Sequence, residues 1–339
     1  MEAVDVVAVV GACGPERRRF AARLAASMSA ELLPASRLEG SPDPCHEAAV
    51  LSSWTTGAVV ELPDETLVTE AIGAFTEAEA RTNLRALVCV VDASHILDDL
   101  QREDYLSIRD DHSGVAAILI ARAELIVKQI EYASVIVLVN WANVETRPLA
   151  MLMALLSSLS PRARLWLHRV GGIPVERGEV YGAGQDRAGW VCALNGDHDP
   201  HMIDGRVRVY RYEEPRPFHP GRLRKLLDRI EVGEFGTVVR SVGFCRLVTR
   251  PYAVAHWEHV GGMFTLHPMS LETPFASEAG VLAVGQDLAF FGFDLDIEAL
   301  GNALGEASLT PAELDAGPTA WATFPDPFPA WVVAPDRAD

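Results

Sequence analysis

The chain has 339 residues, of which 49% are hydrophobic and 22% are charged, and its formal net charge is −18. This balance is typical of a globular protein, and the length predicts two domains. The negative charge opposes long-range attraction to nucleic-acid phosphates and anionic membranes, so neither is expected as a direct partner. With no apolar run of bilayer-spanning length and no basic leader before the first one, the expected location is the cytoplasm.

The first two-fifths of the chain alternate short apolar runs with helix-like segments. Val4–Val10 is a valine-rich run that ends at Gly11, and Pro15 suits the first turn of a following helix. Further apolar runs end at Glu61, Asp92 and Asn140. This alternation predicts an α/β fold with a doubly wound parallel sheet, in which these strand ends cluster at the ligand-binding edge.

A second, smaller domain of mixed α+β structure is predicted after a segment without periodicity. The sequence predicts strands at 206–212, 236–249 and 281–291 and helices at 220–230 and 297–306. The predicted domains are 1–170, a linker at 171–204 rich in Gly, Pro, Asp and His, a second domain at 205–325, and an extended tail at 326–339.

Several short segments, in order over nearly the whole chain, resemble the CobW family of GTPase metallochaperones. They are VDA at 91–93, LDDL at 97–100, KQIEYA at 128–133, VLVN at 137–140, RPFHP at 216–220, RSVGF at 240–244, TRP at 249–251, TAW at 319–321 and PDPF at 325–328. The resemblance implies a P-loop-NTPase-like GTPase domain followed by a CobW C-terminal domain, with GTP, magnesium and zinc or cobalt as the family's ligands.

The phosphate-loop pattern GxxxxGKS/T is degenerate here. With Gly11 as its first glycine, the second glycine falls on Glu16, the lysine on Arg17 and the magnesium-binding hydroxyl on Arg18. Glu16 brings negative charge towards phosphate, and Arg18 puts a cation where a magnesium ligand belongs. We therefore expect neither bound GTP and magnesium nor efficient hydrolysis, although Arg17 could still meet an anion at the helix N-terminus.

The guanine-reading pattern NKxD appears as Asn140-Trp141-Ala142-Asn143. Asn143 offers a donor where the family's aspartate accepts hydrogen bonds from the base. Trp141 either stacks on a purine or packs within its own loop, and the second interpretation is favoured. The vestigial nucleotide-site residues are therefore Gly11, Gly14, Arg17, Asn140 and Asn143.

The family's CxCC metal motif is also missing. Only Cys45, beside His46, lies in the corresponding interval, and the five cysteines form no CxxC pair. Zinc remains the candidate metal because His256 and His259 would share one face of a helix, with His267 and Cys245 close enough in sequence to join them. The alternative is a turn between strands, in which these histidines serve surface or packing roles.

The leading hypothesis is a CobW-like pseudo-GTPase that binds a partner or metal in zinc homeostasis. One alternative is a recruitment factor of the ribosome-hibernation type that acts through a protein partner under zinc limitation. The other is a still-active GTP-dependent metallochaperone, in which Arg17 would replace the lysine. A basic helix face at 216–229 is the predicted docking surface for an acidic protein or an RNA, although a solvated face is the ordinary explanation.

Overall fold

The computed structural model describes residues 3–77, 79–110, 115–169, 181–182, 187–251, 253–269 and 285–331, with only the backbone described over 108–110 and 115–118. The described residues divide into two compact units. The first lies within 1–192 and 198–204, and the second within 193–197 and 205–339. No helix in this part of the chain is long and apolar enough to cross a bilayer.

The first unit follows the predicted alternation of strands and helices. Its strands are β1 (Val4–Val10), β2 (Glu31–Leu33), β3 (Ala58–Glu61), β4 (Thr82–Asp92), β5 (Tyr105–Asp110), β6 (Val115–Ala121), β7 (Val135–Val139) and β8 (Arg164–Leu167). Its helices are α1 (Gly14–Met28), α2 (Ala35–Leu38), α3 (Pro44–Ser52), α4 (Val68–Thr76), α5 (Ile96–Asp99), α6 (Arg122–Glu131) and α7 (Thr146–Leu159), with a 3-10 turn at Trp141–Asn143.

Six strands of this unit form a parallel sheet in the order β2-β3-β1-β4-β7-β8. This confirms the predicted α/β fold. Valines of β1 and its neighbours are almost fully buried against Phe20 and Leu24 of α1, which explains the continuous apolar runs in the sequence. Because β3 and β4 flank β1, their carboxyl ends at Glu61 and Asp92 flank Gly11.

The two strands β5 and β6 form a separate antiparallel hairpin in which Tyr105 is opposite Ala121. The sequence pattern had indicated only helix-like structure between Asp92 and the next parallel strand. A short amphipathic strand and a short helix cannot be separated by periodicity alone, and here the β-branched residues of the second strand favour the sheet.

The second unit is the predicted mixed α+β domain. Its strands are β9 (Val207–Glu214), β10 (Thr237–Cys245), β11 (Val254–Val260), β12 (Met263–Met269) and β13 (Gln286–Phe293), in the antiparallel order β12-β11-β10-β13-β9. Its helices are α9 (Pro220–Glu231), α10 (Ile297–Ala307), α11 (Pro311–Asp315) and α12 (Gly317–Trp321). The apolar sides of α9 and α10 share a core with Trp257 and Phe290 of the sheet.

The segments predicted as linker and tail each contain ordered contacts. The helix α8 (Gly189–Asn195) forms within 171–204 and buries Cys192, although residues 170–180 and 183–186 of that segment lie outside the described residues. In the tail, the Asp326 carboxylate accepts hydrogen bonds from Thr249 at 2.6 Å and Arg250 at 2.9 Å. Arg250 also lies 4.2 Å over the ring of Trp331, so the chain is docked through that residue.

Candidate functional site

The loop after β1 depends on a glycine for reasons of packing. Gly11 has a φ of +136°, and a Cβ at this position would lie 2.2 Å from the carbonyl oxygen of Val90 on the neighbouring strand. Any larger residue would collide with the backbone of β4 and would be strained in φ. The conformation of the sheet therefore accounts for Gly11 without a bound phosphate.

The loop between β1 and α1 is also shorter than the phosphate-loop pattern predicts. Helix α1 begins at Gly14, two residues before the position of the pattern's second glycine. The Gly14 amide donates to the Ala12 carbonyl at 3.1 Å, the Arg17 amide donates to Cys13 at 2.9 Å, and Pro15 has no amide hydrogen. A phosphate cradle needs such backbone amides free, and here those of Gly14 and Arg17 are engaged within the chain.

The side chain of Arg17 is the centre of the site and is 3% exposed. Its Nε donates to Glu61 Oε1 at 3.3 Å. Its Nη1 donates to the Gly11 carbonyl and to the Asp64 carboxylate. The cation that replaces the lysine of the phosphate loop is therefore bound to the chain's own carboxylates.

Glu61 joins three segments of the first unit. It is 1% exposed, and besides pairing with Arg17 it accepts a hydrogen bond from the Ala35 amide at 3.3 Å, at the start of α2. A carboxylate at a helix N-terminus is stabilised by the free amide and the helix dipole. Glu61 therefore serves as an ion-pairing and helix-capping group.

The next strand end, Asp92, is linked to the guanine-reading segment. Asn140, which has a φ of +55°, donates from Nδ2 to Asp92 Oδ2 at 2.6 Å. Ser94 donates to Asp92 Oδ1 from its amide at 2.9 Å and its hydroxyl at 2.8 Å. Partial burial alone would raise the pKa of Asp92, but these hydrogen bonds outweigh it and lower the pKa. The Asn140 amide is thus engaged within the protein.

Trp141 is used for loop packing, as the sequence analysis favoured. Its indole Nε1 donates to the carbonyl of His168 at 3.0 Å, and the guanidinium of Arg169 lies 5.1 Å over its ring. Asn143 is exposed, and its amide donates to the Asn140 carbonyl at 3.2 Å. Trp141 therefore packs against the segment that follows β8, and Asn143 closes the loop onto Asn140.

The space behind the loop is small and acidic. A cavity of about 10 Å³ is lined by Gly11, Cys13, Asp92, Asp99 and Gln129 among others, which is room for about one water molecule. Burial raises the pKa of Asp99, and it raises that of the Cys13 thiol to about 12. Such a cavity accommodates neither a phosphate group nor a thiolate metal ligand.

The described charges at this sheet edge do not favour a triphosphate. The buried Arg17 faces the two carboxylates of Glu61 and Asp64, while Glu16 pairs with Arg19. Arg18 is exposed. A triphosphate brought to the loop would meet a cation that is already neutralised and carboxylates that repel it.

Cys45 and His46 do not form a metal site. They are adjacent on α3, where Cys45 is buried and His46 is exposed, so their side chains diverge. Burial, with the neighbouring carboxylates of Glu70 and Asp43, raises the pKa of the Cys45 thiol to about 12. At neutral pH this sulfur is a protonated core group.

The C-terminal candidates His256, His259, His267 and Cys245 are divided between the two faces of a sheet. His256 and His259 lie on strand β11, not on a helix, so a spacing of three residues puts their side chains on opposite faces. His267 is opposite His256, and Cys245 lies on the face of His259. Among the residues that the structure describes, no group of three or more His, Cys, Asp and Glu side chains could hold a metal.

The two inward members of that set are buried without charge. Burial, with a smaller contribution from Arg240, lowers the pKa of His259 to about 4. Burial also raises the pKa of the Cys245 thiol. Both are therefore neutral core residues at physiological pH.

The predicted basic face at 216–229 is largely neutralised by ion pairs. Its apolar side is buried as expected. The closest ion-pair distances are 2.7 Å for Arg216–Glu214, 2.7 Å for Arg222–Glu313, 3.2 Å for Arg224–Asp228 and 2.7 Å for Arg229–Glu234. This surface carries mixed charge, which weakens the case for RNA docking there.

The sequence analysis missed two important residues, Asp64 and Gln129. Gln129 on α6 is 1% exposed and donates to the carbonyls of Asp64 at 3.3 Å and Thr66 at 3.4 Å, which fixes the loop after β3. The only available signal for Asp64 was that an acidic residue follows closely after the strand end at Glu61. Its partner, Arg17, is 47 residues away along the chain.

Comparisons with known proteins agree with this architecture. Residues 207–308 match the family model described as the cobalamin synthesis protein cobW C-terminal domain. Zinc-regulated GTPase metalloprotein activator 1 of Dictyostelium discoideum is 24% identical over 299 residues, which are 78% of this chain and 60% of the relative. Zinc chaperone Rv0106 of Mycobacterium tuberculosis is 30% identical over 235 residues, which are 62% of this chain and 54% of the relative.

The chain thus spans between about half and three-fifths of the length of these curated relatives. Among solved structures, the Zn(II)-bound YjiA GTPase from E. coli aligns over 91% of this chain with 12% identity and a TM-score of 0.36. The domain match lies inside the second unit, and the two relatives extend the similarity to most of the chain. Residues 207–308 therefore belong to the cobW C-terminal domain family.

Proposed function

We propose that this chain is a pseudo-GTPase of zinc homeostasis, in which the first unit is a rigid binding scaffold rather than a nucleotide-driven switch. The observation that carries the proposal is the position of Arg17. Its guanidinium is buried and bound to Gly11, Glu61 and Asp64. Phosphate binding would require those pairs to break and would leave a buried Glu61 without its cation, which is costly.

Three further features support the loss of turnover. The Gly14 and Arg17 amides are hydrogen bonded within the chain, Arg18 stands at the position of the magnesium-binding hydroxyl, and Asn140 is hydrogen bonded to Asp92. Each affects a different part of a GTPase site: the phosphate cradle, the metal and the base. Restoring any one of them alone would not restore hydrolysis.

The zinc part of the proposal comes from the relatives. One is named as a zinc-regulated GTPase metalloprotein activator and the other as a zinc chaperone. Because the described residues form no three-ligand metal cluster, the proposed role is to present a surface to a protein partner in the cytoplasm rather than to carry the ion in a preformed cage. The mixed charge of α9 favours a protein over an RNA as that partner.

A calorimetric titration with GTP and Mg²⁺ tests the pseudo-GTPase proposal. We expect no heat of binding at nucleotide concentrations up to about 1 mM, because the cradle amides and the cation are already engaged. A CobW-family GTPase with an intact GxxxxGKS/T loop is the positive control. Micromolar binding accompanied by phosphate release would contradict the proposal.

A double-mutant cycle tests whether Arg17 is a structural anchor. Arg17→Met should lower the free energy of unfolding by about 3–5 kcal/mol because it strands the buried Glu61 carboxylate. The double variant Arg17→Met/Glu61→Leu should recover much of this loss, because no charge remains buried without a partner. Urea denaturation followed by circular dichroism measures both values.

The matched control for this cycle is Arg19→Met, which removes an arginine from the exposed side of the same helix. Arg19 is 65% exposed in its side chain, so its loss should change stability by no more than about 0.5 kcal/mol. If Arg17→Met costs as little as the control, Arg17 is not buried as described and the anchor role is wrong.

The abundance of the protein in its native host tests the zinc role. We expect quantitative immunoblotting to show a rise when zinc is removed with a chelator, as for a protein that serves zinc supply. Depletion of iron at constant zinc is the control and should leave the level unchanged. Equal abundance in zinc-replete and zinc-depleted cells would count against a role in zinc homeostasis.

A further inference from the structure

The last described segment of the second unit, residues 324–331, has the form of a peptide ligand; it is called the C-terminal strap below. Its sequence is FPDPFPAW, in which a proline stands at every second position from 325 to 329. The strap has neither helix nor strand structure. Proline fixes φ and has no amide hydrogen, so such a segment is extended before it binds. Proteins recognise proline-rich extended segments with aromatic rings and a few polar groups.

Aromatic rings of the second unit meet the strap at two of its side chains. The ring of Phe324 lies 4.7 Å from that of His219, the residue before α9, and the ring of Phe328 lies 6.4 Å from that of Phe264 on β12. Phe328 and Trp331 also pack against the core of this unit. The strap is therefore seated through its aromatic residues.

The polar part of the strap site is Arg250 with its neighbour Thr249. Asp326 Oδ2 accepts from Thr249 Oγ1 at 2.6 Å and from Arg250 Nε at 2.9 Å. Arg250 Nη2 donates to the Phe328 carbonyl at 2.9 Å, and the guanidinium lies over the ring of Trp331. One arginine thus contacts a carboxylate, a backbone carbonyl and an aromatic ring of the same segment.

The strap leaves one donor of its site unused. Arg250 Nη1 is a buried nitrogen without a hydrogen-bond partner among the residues that the structure describes. Nature rarely leaves a buried charged donor unpaired, because its lost hydration is then not replaced. A ligand that offered Nη1 an acceptor would therefore fit this site better than the strap does.

The strap can leave its site without opening the core beneath it. None of its residues is fully buried. Trp321, which precedes the strap at the end of α12, is buried with Val248 and Leu309 and anchors the chain there. Departure of the strap would therefore expose the side chains of its site and leave α12 in place.

We propose that the C-terminal strap is an internal ligand, and that its site binds an extended, proline-rich segment of a partner protein. The recognised chemistry is a carboxylate two residues before an aromatic ring, as in Asp326 and Phe328, with a further acceptor for Arg250 Nη1. Tethering raises the effective concentration of the strap to about the millimolar range, so only a segment that binds more tightly displaces it. This inference rests on the proposed partner-binding function and names its surface.

The test compares Asp326→Ala with Asp315→Ala in the full chain. Both variants remove one aspartate from the C-terminal region, but Asp315 is exposed on α11 and is not the carboxylate that Arg250 binds. The probe is a fluorescein-labelled peptide, TFPDPFPAW, and fluorescence anisotropy measures its dissociation constant. We expect Asp326→Ala to bind it about 10- to 100-fold more tightly than the wild type, because loss of charge-assisted hydrogen bonds weakens the competing strap. Asp315→Ala should match the wild type.

A second arm assigns the gain to the strap site. Arg250→Gln, added to Asp326→Ala, should abolish the gain, and so should replacement of the peptide's aspartate by alanine. Asp326→Asn and Thr249→Val are the substitutes if the first variants do not fold. Folded Asp326→Ala or Asp326→Asn protein that binds the peptide no better than the wild type would overturn the inference, as would a gain that survives the change at Arg250 or Thr249. The titration contains neither nucleotide nor zinc, so its failure is distinguishable from failure of the proposed function.

Discussion

A buried guanidinium must be paired, and the pairing of Arg17 organises the ligand-binding edge of the first unit. Its partners come from three places in the chain: Gly11 after β1, Glu61 at the end of β3 and Asp64 in the following loop. Glu61 extends the connection to the start of α2. Because an unpaired buried charge costs several kcal/mol, these contacts favour one closed arrangement of the edge.

In a phosphate-loop enzyme the same edge is left incomplete, so that a nucleotide and a metal ion complete it. Here the chain supplies the missing charges and hydrogen bonds itself: Arg17 with its carboxylates at the phosphate position, and Asp92 with Asn140 towards the base side. The valine core beneath the edge remains densely buried. Under the proposed function, the first unit keeps its shape, and with it any surface that a partner recognises, without a nucleotide.

The sequence predicted the architecture well because its signals are local. Valine-rich runs and their polar ends located β1, β3, β4 and β7, and the requirement for Gly11 was visible as a break after β1. The Arg17 substitution was equally visible, but the anion that it meets was not. Asp64 is brought to the first turn of α1 only by the parallel pairing of β1 with β3.

The helical pairing of His256 and His259 was predicted wrongly, because their sequence spacing fits a helix. His256 and His259 were considered as a helical pair, but β-branched and aromatic neighbours place them on a strand, where the same spacing separates them. Contacts within the segment predicted as an extended tail were not predicted either: the Asp326 carboxylate accepts hydrogen bonds from Thr249 and Arg250, and the Phe328 carbonyl accepts one from Arg250. Long-range polar pairing is the common element in what local patterns could not predict.

The central claim is that Arg17, at the position of the phosphate-loop lysine, stays paired with Glu61 and Asp64 in the presence of nucleotide. The most direct measurement is the ¹H–¹⁵N NMR signal of the Arg17 Nε–H group, assigned by its absence in Arg17→Met. The account predicts a resonance that exchanges slowly with water, since Nε donates to a buried Glu61, and that does not move when GTP and Mg²⁺ are added. A rapidly exchanging signal, or one that shifts on addition of GTP and Mg²⁺, would contradict it.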